Sequence, residues 1–132
     1  MQSIVQKKAI EGYSRNAVET QVDYASPYRI IQMLMDGALT RIATAKGCIS
    51  RNDIAEKSRQ ISWCMNIING LRSSLDAEQG GEIAVNLDAL YDYMCRKLLE
   101  ANINNDIAAL DEVTMLLSEV KSGWDNIPPE FH

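Results

Sequence analysis

Apolar residues recur at spacings of three and four along four successive stretches of the chain. This spacing places them on one face of an α-helix, so each stretch predicts an amphipathic helix with one buried face. The four helices are predicted at residues 27–50, 53–75, 82–103 and 106–125. Short polar turns join them and we find no strand candidate. The pattern therefore predicts an all-α fold, an antiparallel up-down four-helix bundle over residues 25–127.

The inner faces of these helices form the predicted core. The residues on them are Ile31, Leu34, Ala38, Ile42, Ala45 and Ile49; Ile54, Ile61, Cys64, Met65, Ile68, Leu71 and Leu75; Ile83, Leu87, Leu90, Met94, Leu98 and Ala101; and Ile107, Leu110, Val113, Leu117, Val120 and Trp124. Trp63 and Ile67 fall outside the stripe of their helix and predict a second, smaller apolar patch.

Local signals mark where the helices begin and end. Ser26 can cap the first helix and Pro27 suits its first position, because a serine oxygen accepts an orphan backbone N–H and proline presets φ. Asn52 or Asp53 can cap the second helix, and Asn105 or Asp106 the fourth. Gly80 and Gly81 indicate a C-cap and turn before the third, while Pro128 and Pro129 end the fourth.

The two ends of the chain are less regular. We predict that residues 1–24 form a mobile N-terminal segment, with a short helix from about Val5 to Asn16 and then a polar linker. Residues 128–132 predict a short tail, in which Glu130 to His132 are frayed.

The first helix carries more apolar residues than one core contact needs. Ile30, Met33 and Met35 lie outside its inner stripe. We expect them to face a groove that a partner or the N-terminal segment covers, and ordinary packing is an equally weighted alternative. Gly37 lies mid-helix, where glycine is destabilising by up to about 1 kcal/mol relative to alanine, so it suggests close approach of another backbone.

Charge and cysteine content narrow the class of protein. The net charge is −5 and the pI about 4.8, which argues against a nucleic-acid partner because phosphate binding needs a clustered basic face. Cys48, Cys64 and Cys95 lie inside apolar helical patterns and are odd in number, so we expect reduced core thiols. No charged-then-apolar leader and no apolar run of roughly 18 residues is found, which favours the cytosol and argues against membrane insertion.

The sequence offers few residues that could form a catalytic or metal-binding site. The one histidine is His132, whereas carboxylate-bridged metal bundles need inward Glu-x-x-His pairs and phosphotransfer bundles need a mid-helix histidine. Neither C-x-x-C nor a glycine-rich phosphate loop occurs. Asp88 and Asp92 share a helix face, but with Arg96 one turn further a solvated charged face is favoured over paired carboxylates. We expect no enzyme activity, no cofactor and no metal.

A set of motifs spans about Tyr13 to Trp124. They are Tyr13, Asn16 and Val18 in Y-S-R-N-A-V; A-S-P from Ala25; M-L-M-D-G-A-L from Met33; G-G-E-I-A-V-N-L-D-A-L-Y-D-Y-M from Gly80; L-L-E-A-N from Leu98; N-D from Asn105; L-D-E-V from Leu110; and Trp124. In order and spacing the chain resembles the FliS family, the flagellar export chaperones that serve flagellin. Met35 departs from the family pattern, which usually has tyrosine there.

The resemblance implies a cytosolic helical bundle that binds the disordered C-terminal segment of flagellin, prevents premature polymerisation and delivers the subunit to the flagellar type III export apparatus. Amphipathic client helices would lie in grooves between bundle helices. It also implies that Tyr13, Asn16 and Val18 belong to a movable flap over a client groove. Tyr91 and Tyr93 are candidate client contacts or packing residues.

An alternative from another class stays open on the sequence. A homodimeric helical adaptor that binds another flagellar regulator, such as an anti-sigma factor, would show the same helical pattern. Loss of binding when flagellin lacks its C-terminal segment distinguishes the chaperone from this adaptor.

Overall fold

The protein is described by a computed structural model that covers residues 26–132. Four α-helices follow one another, and a short 3-10 helix, Pro129–Phe131, follows them. They are α1 Pro27–Ser50, α2 Ile54–Ser73, α3 Ala77–Asn104 and α4 Ile107–Asp125. Residues 26–132 contain no strand, and the predicted all-α bundle is confirmed. The predicted N-terminal helix and Tyr13, Asn16 and Val18 lie outside the described residues.

Side-chain caps start the helices where the sequence predicts them. The Ser26 hydroxyl accepts the Arg29 backbone N–H at 3.2 Å. The Asp53 carboxylate accepts from Glu56 at 3.4 Å, and Asp106 does the same for α4. Each bond satisfies an amide that has no partner within its own helix. The predicted starts of α1, α2 and α4 therefore agree with the structure to within a residue or two.

The start of α3 differs from the prediction. The helix begins at Ala77 rather than near Glu82, because the Asp76 carboxylate accepts two backbone N–H groups of the first turn, at 3.1 and 3.2 Å. Gly81 then interrupts the helix with φ 53° and ψ −130°, a conformation that essentially only glycine adopts. The predicted turn is thus a kink between a single helical turn and the body of α3.

Polar contacts fix the direction of neighbouring helices. The Lys57 ammonium donates to the Asn102 carbonyl at 2.7 Å and joins the start of α2 to the end of α3. The Trp124 indole N–H donates to the Tyr28 carbonyl at 3.0 Å and joins the end of α4 to the start of α1. Both α1 and α3 pack against α2 and α4. The four helices therefore form an antiparallel, up-down arrangement.

Most of the predicted core lies in the interior, including Ile42, Ile68, Leu98 and Leu117, which are at most 1% exposed. Two exceptions are exposed apolar residues. Ile54 is 40% exposed, because it is the first residue of α2 at the end of the bundle. Ile83, on α3 just after the kink, is 71% exposed. The predicted second patch is also divided, since Ile67 is buried in the core and Trp63 stays exposed.

The extra apolar residues of the first helix are buried or partly buried in the structure. Ile30 and Met35 are buried and belong to the core cluster, while Met33 is partly buried and packs against it. The reason is that α1 contacts two helices, α2 and α4, so that two adjacent faces of it are covered. Ile30 is therefore packed in the core, as the packing alternative expects, and whether a partner also reaches it stays a prediction. Met35 is buried as well, although it also borders the groove described below.

The tail is ordered rather than frayed. The His132 ring stacks on the Tyr28 ring, with centroids 3.5 Å apart and planes 6° apart. The Tyr28 ring also stacks with Trp124, at 5.4 Å and 13°. Aromatic contacts of this kind add to the free energy gained from burial alone. The last residues thereby pack on the start of α1.

Candidate functional site

An apolar groove of about 630 Å³ opens at the end of the bundle where α1 and α3 begin and α2 and α4 end. Its volume is in the range of pockets that bind ligands or partner side chains. Side chains from all four helices line it, among them Ile31, Leu71, Leu87, Tyr91, Val120 and Trp124. The surface it offers a partner is therefore mainly apolar.

Small residues line part of the groove. Gly80 and Ala84 on the α3 side and Gly123 on the α4 side all line it. A Cβ atom added at Gly123 would meet no atom within 4 Å, whereas one added at Gly80 would lie 2.7 Å from the Ala84 Cβ. The α3 rim is thus closely packed on itself, and the α4 rim has free space beside it.

Ile83 is the most exposed of the large apolar residues that line the groove. It lies two residues after the Gly81 kink, at the rim. Val85, which is 61% exposed, lies on the same helix but does not line the groove. An exposed isoleucine beside an apolar groove is typical of a surface that a partner covers.

The charged side chains that line the groove are acidic, Asp76 and Glu119. Among residues 26–132, no lysine or arginine borders it. The groove mouth therefore disfavours a partner that presents acidic side chains there, because like charges repel most where water is partly excluded.

Tyr91 is a buried polar side chain in the groove wall. It is 3% exposed, and burial raises the pKa of its hydroxyl to about 12. Within the described part of the chain, no hydrogen bond to this hydroxyl is found. The Tyr91 hydroxyl thus places one hydrogen-bond donor in a mainly apolar wall.

Removing the Tyr91 hydroxyl tests whether a partner uses it. We expect Tyr91→Phe to keep the fold, and to weaken partner binding by about three- to tenfold if the bound partner accepts the hydrogen bond. Calorimetric titration measures the affinity and thermal unfolding the stability. Equal affinities would show that the hydroxyl faces water in the complex.

Tyr93 occupies a different face. Its hydroxyl donates to the Glu112 carboxylate of α4, which raises the tyrosine pKa. The Arg96 guanidinium and the Lys97 ammonium lie 5.9 and 5.8 Å from its ring centre. Tyr93 therefore ties α3 to α4 away from the groove.

Of the residues predicted to contact a partner, the structure brings Met35 and Tyr91 to the groove. Ile30, Met33 and Gly37 of α1 do not line it. The sequence analysis assigned to the core seven residues that line the groove, namely Ile31, Leu71, Leu75, Ile83, Leu87, Val120 and Trp124. Gly80 and Gly81 were the sequence signal that could have indicated the exposure of Ile83, because the helix is interrupted at Gly81.

An ion-pair cluster holds α3 against α2 beside the groove. The Arg72 guanidinium donates to Asp88 at 2.6 and 3.3 Å and to Asp92 at 3.1 Å. Asp92 also forms an ion pair with Arg96, one turn further along α3, at 3.2 Å. The hydrogen bond from Arg72 lowers the pKa of the Asp88 carboxyl. The two aspartates thus serve an ion pair between helices, which the sequence analysis did not foresee.

The depressed pKa of Asp88 gives this cluster a defined pH dependence. Its contribution to stability is complete above the ordinary carboxyl pKa near 4 and is lost as the pH falls through the lowered pKa. We expect Arg72→Gln to be less stable than the parent at pH 7, and the difference to shrink at an acidic pH below the ordinary carboxyl pKa near 4. Urea unfolding at both pH values measures it, with the more exposed Arg59→Gln as control. A difference that persists in acid would contradict the assignment.

The cysteines show no sign of a reactive or metal-binding role. All three are free thiols, and burial raises the pKa of Cys64 to about 12, which keeps it protonated and unreactive. Among residues 26–132 no three histidine, cysteine, aspartate or glutamate side chains cluster as a metal site would need. No helix in this part of the chain is long and apolar enough to cross a membrane.

Comparison with known proteins finds similarity to flagellar proteins. A family model described as "Flagellar protein FliS" matches residues 9–130. The flagellar secretion chaperone FliSB of Pseudomonas aeruginosa is 52% identical over 120 residues, which cover 91% of this chain and 95% of that protein. The flagellar secretion chaperones FliS of Salmonella typhimurium and Vibrio cholerae are 45% identical over 122 residues and 42% over 124. These matches cover 92% and 94% of this chain, and 90% and 91% of the two relatives.

Proposed function

We propose, since this chain belongs to the FliS family of flagellar proteins, that it is a flagellar secretion chaperone whose groove holds the disordered C-terminal segment of flagellin. In the cytosol it would prevent premature polymerisation of flagellin and deliver it to the type III export apparatus. The observation that carries the proposal is the groove of about 630 Å³ with Ile83 exposed at its rim. The proposal includes no catalytic activity, cofactor or nucleic-acid partner.

The chemistry of the groove suits an amphipathic client helix. Apolar side chains at successive turns of such a helix would be buried against Leu87, Val120 and Trp124, as in helix-in-groove recognition. Each large side chain that is fully buried contributes about 1.5–3 kcal/mol, and ordering a disordered client opposes binding by a few kcal/mol. The balance keeps the complex reversible, which a chaperone that hands over its client needs.

Calorimetry with two forms of flagellin tests the proposal. We expect full-length flagellin of the same organism to bind and flagellin that lacks its C-terminal segment not to bind. The homodimeric adaptor alternative predicts no dependence on that segment. Equal affinities for the two flagellins would overturn the chaperone assignment.

The N-terminal segment enters the proposal as a flap. Residues 1–18, with Tyr13, Asn16 and Val18, would cover the client groove when flagellin is absent and compete with it. We expect deletion of residues 1–18 to leave helix content and thermal unfolding of the bundle intact and to raise flagellin affinity. An unfolded variant, or one with unchanged affinity, would contradict the flap.

The proposal assigns a role to each of the other predicted contact residues according to whether it lines the groove. In this proposal Met35 and Tyr91 contact the client directly, because both line the groove. Met33, Gly37 and Tyr93 are assigned no groove contact. Ile30 acts through the core that supports α1.

A further inference from the structure

The tail segment, residues 128–132, contacts Ile127 of the groove wall directly and Trp124 of the wall through Tyr28. Trp124 donates its indole N–H to the Tyr28 carbonyl and stacks on the Tyr28 ring. The His132 ring also stacks on the Tyr28 ring. The His132 Nε2 atom lies 2.8 Å from the Ile127 carbonyl oxygen. Because a carbonyl only accepts hydrogen bonds, this nitrogen carries the proton. Both Trp124 and Ile127 line the groove.

A second, smaller cavity shows that the tail segment and the groove share a wall. This cavity has a volume of about 120 Å³ and lies between the tail segment and the start of α1, where Phe131 and His132 line it. Ile31, Trp124 and Ile127 line both the small cavity and the groove. The end of the groove is therefore formed by three residues whose other side faces the tail segment.

We propose that the tail segment supports the residues that form this end of the groove and sets the orientation of Trp124 in its wall, so that Tyr28 and His132 are positioning residues for partner binding. The inference rests on the proposed function, because it concerns the affinity of the same groove. A stacked ring and one hydrogen bond restrict the torsions of Trp124 before the client arrives, and a preorganised wall loses less entropy on binding. Neither Tyr28 nor His132 lines the groove itself.

Tryptophan fluorescence reports directly on this wall. The chain has two tryptophans, so Trp63→Phe leaves Trp124 as the single emitter. In that background we expect His132→Ala to shift the Trp124 emission to longer wavelength and to lower its anisotropy. His132→Phe retains a ring that can stack and should stay close to the parent. Glu130→Ala, an exposed change in the 3-10 helix that precedes His132, is the matched control.

Calorimetry with the C-terminal segment of flagellin then measures the effect on binding. We expect His132→Ala to bind about two- to tenfold more weakly than the parent, the range of one aromatic contact, and Glu130→Ala to bind like the parent. Unchanged emission in His132→Ala would overturn the inference, as would changed emission with unchanged affinity. Equal losses in His132→Phe and His132→Ala would contradict stacking as the cause. A parent that binds no flagellin overturns the proposed function, while the fluorescence still decides whether the tail segment orients Trp124.

Discussion

Replacing Ile83 with glutamate is expected to weaken flagellin binding by about 30-fold or more without unfolding the protein. Ile83 is 71% exposed and lines the groove, so little is lost in the free protein, whereas the complex loses an apolar contact. Burial of an isoleucine contributes about 1.5–3 kcal/mol, and 1.4 kcal/mol is tenfold in affinity. The new carboxylate would also join Asp76 and Glu119 at the mouth, where removing it from water is unfavourable.

A matched substitution lies two residues away. Val85→Glu introduces the same charge into the same helix, at a position that is 61% exposed but outside the groove. Glutamate is a good helix former at both positions. We expect calorimetric titration to give parent-like affinity for Val85→Glu, and circular dichroism to give similar unfolding temperatures for both variants. Equal loss of affinity in the two would place the client on a different face.

The helices could be predicted from the sequence because their signals are local. Apolar spacing of three and four, with Ser26, Asp53 and Asp106 ahead of it, fixes the starts of three helices without any knowledge of their neighbours. Burial on α1 is different. Whether Ile30 and Met35 are exposed depends on how many helices pack on α1, and the sequence pattern of one helix does not contain that number.

The groove escaped prediction for a related reason. Ile83, Leu87 and Val120 continue the same periodic stripes as the buried residues of α3 and α4. Periodicity shows which face of a helix points inward, but not whether the neighbouring helix is close enough to cover it. In the first part of α3, the apolar stripe lines the groove instead of packing against a neighbouring helix. Gly81 lies there with a positive φ, which is a backbone conformation that apolar periodicity does not reveal.

The wall formed by α3 is nevertheless held firmly. Arg72, near the end of α2, binds Asp88, and Lys57, near its start, donates to the Asn102 carbonyl. Lys57 is 3% exposed, and its ammonium satisfies a carbonyl of the last turn of α3, where a positive charge is favourable. These two contacts fix α3 to α2 at both ends of α2. The groove can therefore be open without α3 being loose, which favours binding by a preorganised surface.

Replacing Leu117 with alanine is expected to lower the free energy of unfolding by about 2–5 kcal/mol, the range for a leucine removed from a packed core. Leu117 is 0% exposed and belongs to the core cluster of α4. Met115, two residues earlier, is 55% exposed, so Met115→Ala should change the free energy by no more than about 0.5 kcal/mol. Urea denaturation of the three proteins measures both values.

The Leu117→Ala variant also separates stability from binding, because Leu117 does not line the groove. At a temperature well below its unfolding transition, we expect its affinity for flagellin to stay within about threefold of the parent, since the folded fraction remains near one. Ile83→Glu should show the reverse, with parent-like stability and weak binding. If Leu117→Ala lost affinity while fully folded, the groove would have to depend on packing deeper in the bundle than its lining residues indicate.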